Sequence, residues 1–466
     1  MKTKISILSL ILLLVFSGCQ KKKKGTVIDY DRYLFDTSYV HEIDVAISED
    51  DWNDLLENPT AKTKYSADVT IDGETLKNVS FSTKGNSSLY FPASEEGNER
   101  YPFKINFGKN VDGQTYHGLD KLSLSNVYGD TTFVKDYLSY ELFRKIGVNA
   151  PLVSFAVLRI NGDYHGLYAA VEDVDKSFLK RNSGGKGVLY KPEGKGLGLN
   201  AEVIEAIKNG EPVPTGESHG ADLVYIDDQI ESYPDIFENA ETHAEDEDYL
   251  RVIEALKALS ENRDLDRYLD TDEIIRFFAA NVYLLNHDGY IGPMLHNYYL
   301  YENEGRLAML PWDYSFSFAT TQIVYSADDY NDQTNLINLG IDTPLLLTNE
   351  ESRPMWSWIV GNEEYRNRYH ETLETILDYF DSGEFEKEAD RVHELLLPYV
   401  QADVNGLSTV EQFNNGYKAL KEYCFARSES IRRQLNGSLA AVSSEQDPAD
   451  RVDASGIRLL DMNLEQ

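Results

Sequence analysis

The stretch from Asp270 to Phe318 constrains this chain most, because its pattern admits one order of elements: helix, loop, hairpin, turn. Apolar residues at Ile274, Ile275, Phe277, Phe278, Val282, Leu284 and Leu285 recur at helical spacing, with Asp270 or Thr271 placed to cap the first turn. Asn286-His287-Asp288-Gly289 favours termination of that helix. Two strand-like runs follow, HNYYLY and RLAMLPW, joined by Glu302-Asn303-Glu304-Gly305, a hairpin-length connection. An antiparallel hairpin returns to where it began, so Asp288 before it and Asp313 after it can face one cleft. Aspartate alone also suits a turn. The pair at hairpin spacing is what points to chemistry.

Helix, loop acid, short hairpin and second acid is the layout of a protein-kinase catalytic core. There the first acid accepts the substrate hydroxyl proton and the second holds magnesium on ATP. Asn297 follows the loop acid and is available to complete a metal site.

A chain of 466 residues with 42% hydrophobic content can bury a large core in one domain or two. Acids outnumber bases 79 to 44, a formal charge of −35, which opposes binding to bare nucleic acid. A nucleotide can still bind where a divalent metal and local bases offset the repulsion.

At the N-terminus, Lys2 and Lys4 precede an apolar run from Ile5 to Phe16 that is short for a membrane span and fits an export signal. Ser17-Gly18-Cys19 resembles the lipobox of bacterial lipoproteins, which implies cleavage before Cys19 and a diacylglycerol on its sulfur. Residues 20–37 are expected as a tether, its start (QKKKKG) basic and suited to anionic headgroups. Cys424 alone remains in the body, so no internal disulfide or cysteine-rich metal site can form there.

Residues 38–180 are expected as a β-rich small lobe. Hairpins turn at Asp72-Gly73 and Asn161-Gly162, and strands are expected at 101–107 and 117–126, with an amphipathic helix from Thr132 to Ile146. Lys104 should point away from Phe103 and Ile105. Lys84-Gly85-Asn86-Ser87-Ser88, just after a strand, can bring backbone N–H groups to a phosphate. Residues 181–437 are expected to be mainly helical, after a Gly- and Lys-rich start with polar loops, and 438–466 a poorly ordered tail. Gly216-Glu-Ser218-His-Gly220 fits G-x-S-x-G literally, but Pro-Val-Pro-Thr before it cannot supply the strand a nucleophile elbow needs. His117, His165, His287 and His296 read as structural histidines.

In their order, several of these pieces resemble the CotH kinase-like family: Lys84 to Ser88, Tyr101-Pro-Phe-Lys104-Ile, His117 to Asn126 and Phe133 to Phe143. Asn161 to Tyr168, Val171-Glu172, Leu189-Tyr-Lys191, Asn286 to Asp288, His296-Asn-Tyr298 and Pro311-Trp-Asp313 continue the resemblance. It implies an α+β, atypical protein-kinase-like two-lobe fold that binds ATP with Mg2+ or Mn2+ and phosphorylates Ser or Thr of surface or coat proteins. On that pattern Asp288 is the catalytic base and Asp313 the metal ligand, with Asn297 beside it. Lys104 neutralises the α and β phosphates, with Asp136 or Glu141 as its ion-pair partner. Lys84 lies over the phosphates, and Glu172 falls at the adenine-contacting hinge. The chain departs from ordinary kinases in lacking H-R-D, D-F-G and a full Gly-rich loop, and Asn297 stands nine residues past Asp288 rather than five.

A lipid-anchored kinase-like enzyme at the cell surface is the first expectation. An inactive scaffold or adhesin on the same fold is the second. A glycoside hydrolase using Asp288 and Asp313 is the third, and it calls for a groove of exposed aromatics without clustered lysines.

Overall fold

The structure, a computed structural model, describes residues 28–194, 218–321 and 333–463. The export signal, Cys19, the basic start of the tether and Gly216 lie outside the described residues.

Alternating apolar and polar residues build seven strands: β1 (His41–Ile47), β2 (Tyr65–Ile71), β3 (Glu74–Thr83), β4 (Phe103–Asn106), β5 (Lys121–Ser125), β6 (Val153–Ile160) and β7 (Asp163–Glu172). They close into a barrel in the order β1-β2-β3-β4-β5-β7-β6, sealed by a parallel pairing of β1 with β6. The hairpins turn where expected. Asp72 and Gly73, like Asn161 and Gly162, take paired positive φ values (47° and 86°, 54° and 86°), the geometry that follows strand twist. Ile43, Val69, Phe81, Phe103, Ile105 and Leu122 fill the interior at 0% exposure.

The opposite strand face matters for function. Ser82, Lys104 and Ser123 stand side by side across β3, β4 and β5, and Ser123 faces Val171 of β7. Lys104 therefore points outward while its neighbours Phe103 and Ile105 point in.

The remainder is mainly helical, around the helix Thr271–Leu284, whose first turn is capped by the Asp270 carboxylate accepting from Glu273 N–H at 3.1 Å. Its apolar face packs on the helix Glu363–Asp381. A three-stranded sheet lies beside it, in the order β10-β9-β8: β8 (Val188–Tyr190), β9 (Tyr298–Asn303) and β10 (Arg306–Pro311). The expected hairpin is β9–β10, and β8 was hidden by the Gly- and Lys-rich residues around it. Later in the half expected to be mainly helical, two helices follow in succession, Pro354–Gly361 and Glu363–Asp381. The break falls at Asn362, whose side chain caps the second.

Both ends of the described chain are more ordered than the sequence implies. Residues expected in the tether form a short helix, Tyr30–Tyr33, and Tyr30, Leu34 and Phe35 are buried in the barrel's core cluster. The expected tail packs on the helix Val410–Leu435, burying Leu439, Leu459 and Met462. Their scattered apolar side chains carry no periodic signal. Among the described residues no helix is long and apolar enough to cross a membrane.

Candidate functional site

A cleft of 370 Å³ lies between the barrel and the helical half, lined among others by Lys84, Lys104, Asp136, Asp288, Asn297 and Asp313. Six residues far apart in sequence meet there.

The helix Lys135–Lys145 carries Asp136 in its first turn. Asp130 fixes that end, its carboxylate accepting from Thr132 N–H and Lys135 N–H at 2.9 Å each. Lys135 is wholly buried and donates to Gly129 O, Thr320 Oγ1 and Asn463 Oδ1. One turn apart, Asp136 and Tyr140 hold the chain after β10 from the same helix face. Asp136 Oδ1 accepts from Tyr314 N–H at 2.6 Å, and Tyr140 Oη accepts from Asp313 N–H at 2.8 Å. Asp313 sits at φ 52°, a conformation aspartate tolerates, and Ser315 donates to its Oδ1 at 2.7 Å. Burial and the nearby Asp313 carboxylate push the Asp136 carboxyl up to about 8. Asp136 and Asp313, whose carboxyls repel one another and for which no ion pair forms among the described residues, are a hard-oxygen donor set that suits Mg2+ or Mn2+.

Asp288 follows the helix Thr271–Leu284, which ends at Leu285 with φ 47°. Both its oxygens are held: His296 Nε2 lies 3.0 Å from Oδ1, and Asn297 Nδ2 donates to Oδ2 at 2.8 Å. Burial works against a charged His296, but Asp288 and then Asp313 outweigh it and raise the imidazole pKa. His296, read from sequence as structural, is thus a member of the site. Asn297 spends its amide nitrogen on Asp288, which leaves its amide oxygen for a metal.

Lys104 does not pair with Asp136 or Glu141. Its partner is Asp173, 2.5 Å away and 6% exposed. Asp173 lies two residues beyond Val171 and so shares the outward face with Lys104 and Ser123, whose hydroxyl also donates to it. Burial alone would raise the Asp173 carboxyl, but Lys104, Lys84 and Ser123 bring it down to about 2. Extending the β7 alternation one residue past Glu172 would have found it.

Glu141 turns away from the cleft to Arg144 of its own helix. Glu172 is also elsewhere. It is fully buried, accepting from Tyr30 Oη at 2.5 Å, Arg181 at 2.6 and 3.0 Å and Leu152 N–H at 3.0 Å. It ties the Tyr30–Tyr33 helix to the end of β7, so its carboxylate is not offered to a ligand.

Lys84 lies 5.2 Å from the centre of the Trp312 ring, at the start of the Gly85 to Ser88 loop that also lines the cleft. Burial, reinforced by Lys104, lowers the Lys84 pKa against the pull of Asp173 and Asp313. Lys62 and Lys191 join Lys84 and Lys104 on the walls, giving four lysines in all. A cleft with clustered cations beside a carboxylate pair suits a polyphosphate bound with a divalent metal.

The family described as CotH kinase protein matches residues 81–431, three quarters of the chain. Inner spore coat protein H of Bacillus subtilis (strain 168) is 22% identical over 332 residues, covering 69% of this chain and 80% of the relative.

Proposed function

Since this chain belongs to the CotH kinase protein family, we propose that it is an atypical, protein-kinase-like phosphotransferase. It transfers the ATP γ-phosphate to Ser or Thr of surface or coat proteins, with Mg2+ or Mn2+. The observation that carries this reading is the convergence of Asp288, Asp313, Lys84 and Lys104 on one cleft between two lobes.

Asp288 is the proton acceptor for the substrate hydroxyl, and His296 and Asn297 keep its carboxylate oriented. Asp313 and Asp136 hold the cation, with the Asn297 amide oxygen available as a further ligand. A bound divalent cation supplies charge neutralisation on the phosphates. Lys84 and Lys104 add fixed positive charge from the barrel, and Asp173 takes the place kinases give to an acid on the helix: it holds Lys104 extended across the cleft. Phosphoryl transfer asks the protein mainly for positioning and charge, and these residues provide both. The four lysines disfavour the glycoside hydrolase reading, for which they have no use.

The relative's name places it in a spore coat. A lipid anchor on Cys19 would hold this chain at the cell membrane or outer surface, close to protein substrates. Incubation with radiolabelled ATP and either metal tests the reading. Label on Ser or Thr that disappears in Asp288→Ala supports it; no label and no nucleotide binding under any metal overturns it.

A further inference from the structure

Lys191 closes the Leu189-Tyr190-Lys191 motif and follows directly on β8. That strand pairs antiparallel with β9, Tyr190 opposite Leu300. Lys191, the next residue, and Tyr299 of β9 both line the cleft that also holds Asn297, the residue that grips Asp288. The other edge of this segment is pinned as well: Lys191 N–H donates to Asn239 O at 2.9 Å and Glu193 N–H to Asp235 O at 3.0 Å. Tyr190 is buried at 0% exposure, and alternation turns Lys191 the other way, into the cleft that Tyr299 also lines. The backbone is fixed and the ammonium faces the site.

Its present partner is Glu193, at 2.5 Å with 42% of that side chain exposed. Lys104 differs, because its carboxylate is buried and would be left unsolvated if the lysine moved. Glu193 can be taken over by water, and an exposed pair of this kind is weakly held. A phosphate offers more charge and more acceptors than the carboxylate it would replace. The barrel half supplies Lys84 and Lys104 to the cleft; Lys191 comes from the other half of the chain, on the segment that follows β8. A phosphoryl group passing toward Asp288 develops charge that a cation on that side can neutralise.

We propose that Lys191 is the helical half's phosphate-binding residue. It exchanges Glu193 for the terminal phosphate of the nucleotide, and Glu193 parks it in the cleft when that phosphate is absent. The inference rests on the nucleotide reading of the cleft and adds a residue, from the second lobe, specific to the terminal phosphate.

Calorimetric titration of ATP, ADP and inorganic tripolyphosphate, each with Mg2+, into the full chain tests it. Lys191→Ala should weaken ATP about ten-fold or more, the scale of a lost charge-assisted hydrogen bond, and ADP less than about two-fold. Lys191→Arg should restore most of the ATP affinity, and Glu193→Gln should tighten ATP by freeing the lysine. Equal weakening of ATP and ADP, or unchanged ATP affinity in Lys191→Ala, overturns the assignment. Should Lys191→Ala fail to fold, the Glu193→Gln arm decides, since a purely structural ion pair predicts no gain in affinity. A wild-type chain that binds tripolyphosphate through Lys191 but no nucleotide would leave the phosphate site standing and remove the nucleotide reading. Binding of none of the three would remove both.

Discussion

Arg100, just before β4, grips Asp403 of the helical half with both terminal guanidinium nitrogens, at 3.0 and 2.6 Å, and neither side chain is more than 6% exposed. Asp403 also accepts from Leu167 N–H at 3.0 Å. A buried, bidentate pair across the two lobes fixes how the cleft's walls face one another.

Gly166 is the weak point of that contact. A Cβ there would fall 1.2 Å from Arg100 Nη1, so Gly166→Ala must expel the guanidinium and strand Asp403. The expected cost is about 3 kcal/mol or more in urea unfolding. Gly162→Ala, where nothing lies within 4 Å of the added carbon, should cost only about 1–2 kcal/mol from its positive φ.

His165 gives the acid limb of stability a specific source. Burial, with Arg100 adding to it, holds its imidazole down at about 4, against 6.5 for a free histidine. The unfolded chain takes up this proton first, so stability is full above about pH 6.5 and falls as pH drops to about 4. The loss reaches as much as about 3 kcal/mol. His165→Gln should shrink this limb in melting curves taken across that range, leaving the share of His287, which burial also holds down at about 4.

The two aspartates of the hairpin should separate by phenotype. Asp313→Ala should abolish metal-dependent nucleotide binding in calorimetry. Asp288→Ala should leave affinity within about two-fold and lower turnover by about a hundred-fold or more. Equal loss of affinity in both would contradict the roles assigned to them.

His296→Ala removes one of the two grips on Asp288 without touching the metal carboxylates. Turnover should fall about ten- to a hundred-fold with the KM for ATP nearly unchanged, and His296→Gln should recover part of it. A parallel rise in KM would mean that His296 serves binding instead.

Lys104 and Asp173 should show strong coupling in a double-mutant cycle. Lys104→Ala leaves the buried Asp173 carboxylate with Ser123 and Lys84 but without its ion-pair partner, so adding Asp173→Asn should return part of the lost stability, a coupling of about 1–3 kcal/mol by denaturant unfolding.

The helix from Thr271, the β9–β10 hairpin and the Asp-Gly and Asn-Gly turns were legible because each is written in local pattern. So was the outward direction of Lys104, which needs only strand alternation. The partner of Lys104 was not. Asp136 and Glu141 have the spacing of a helix facing the sheet, but Asp173 wins because β5 and β7 are neighbours in the barrel, a pairing no local signal encodes. Glu172 was displaced from its expected role by Tyr30 and Arg181, which lie 142 and 9 positions away in the chain. His296 carries no local signal of its role, because a histidine among tyrosines looks like core until the loop that carries Asp288 is folded beside it.

Closure of the seven strands into a ring has a consequence for how any protein acceptor is met. Every barrel strand already has a neighbour on each side, so none offers an open backbone edge on which an extended peptide could lie as an added strand. On the proposed reading, the barrel meets such an acceptor through side chains and loops alone.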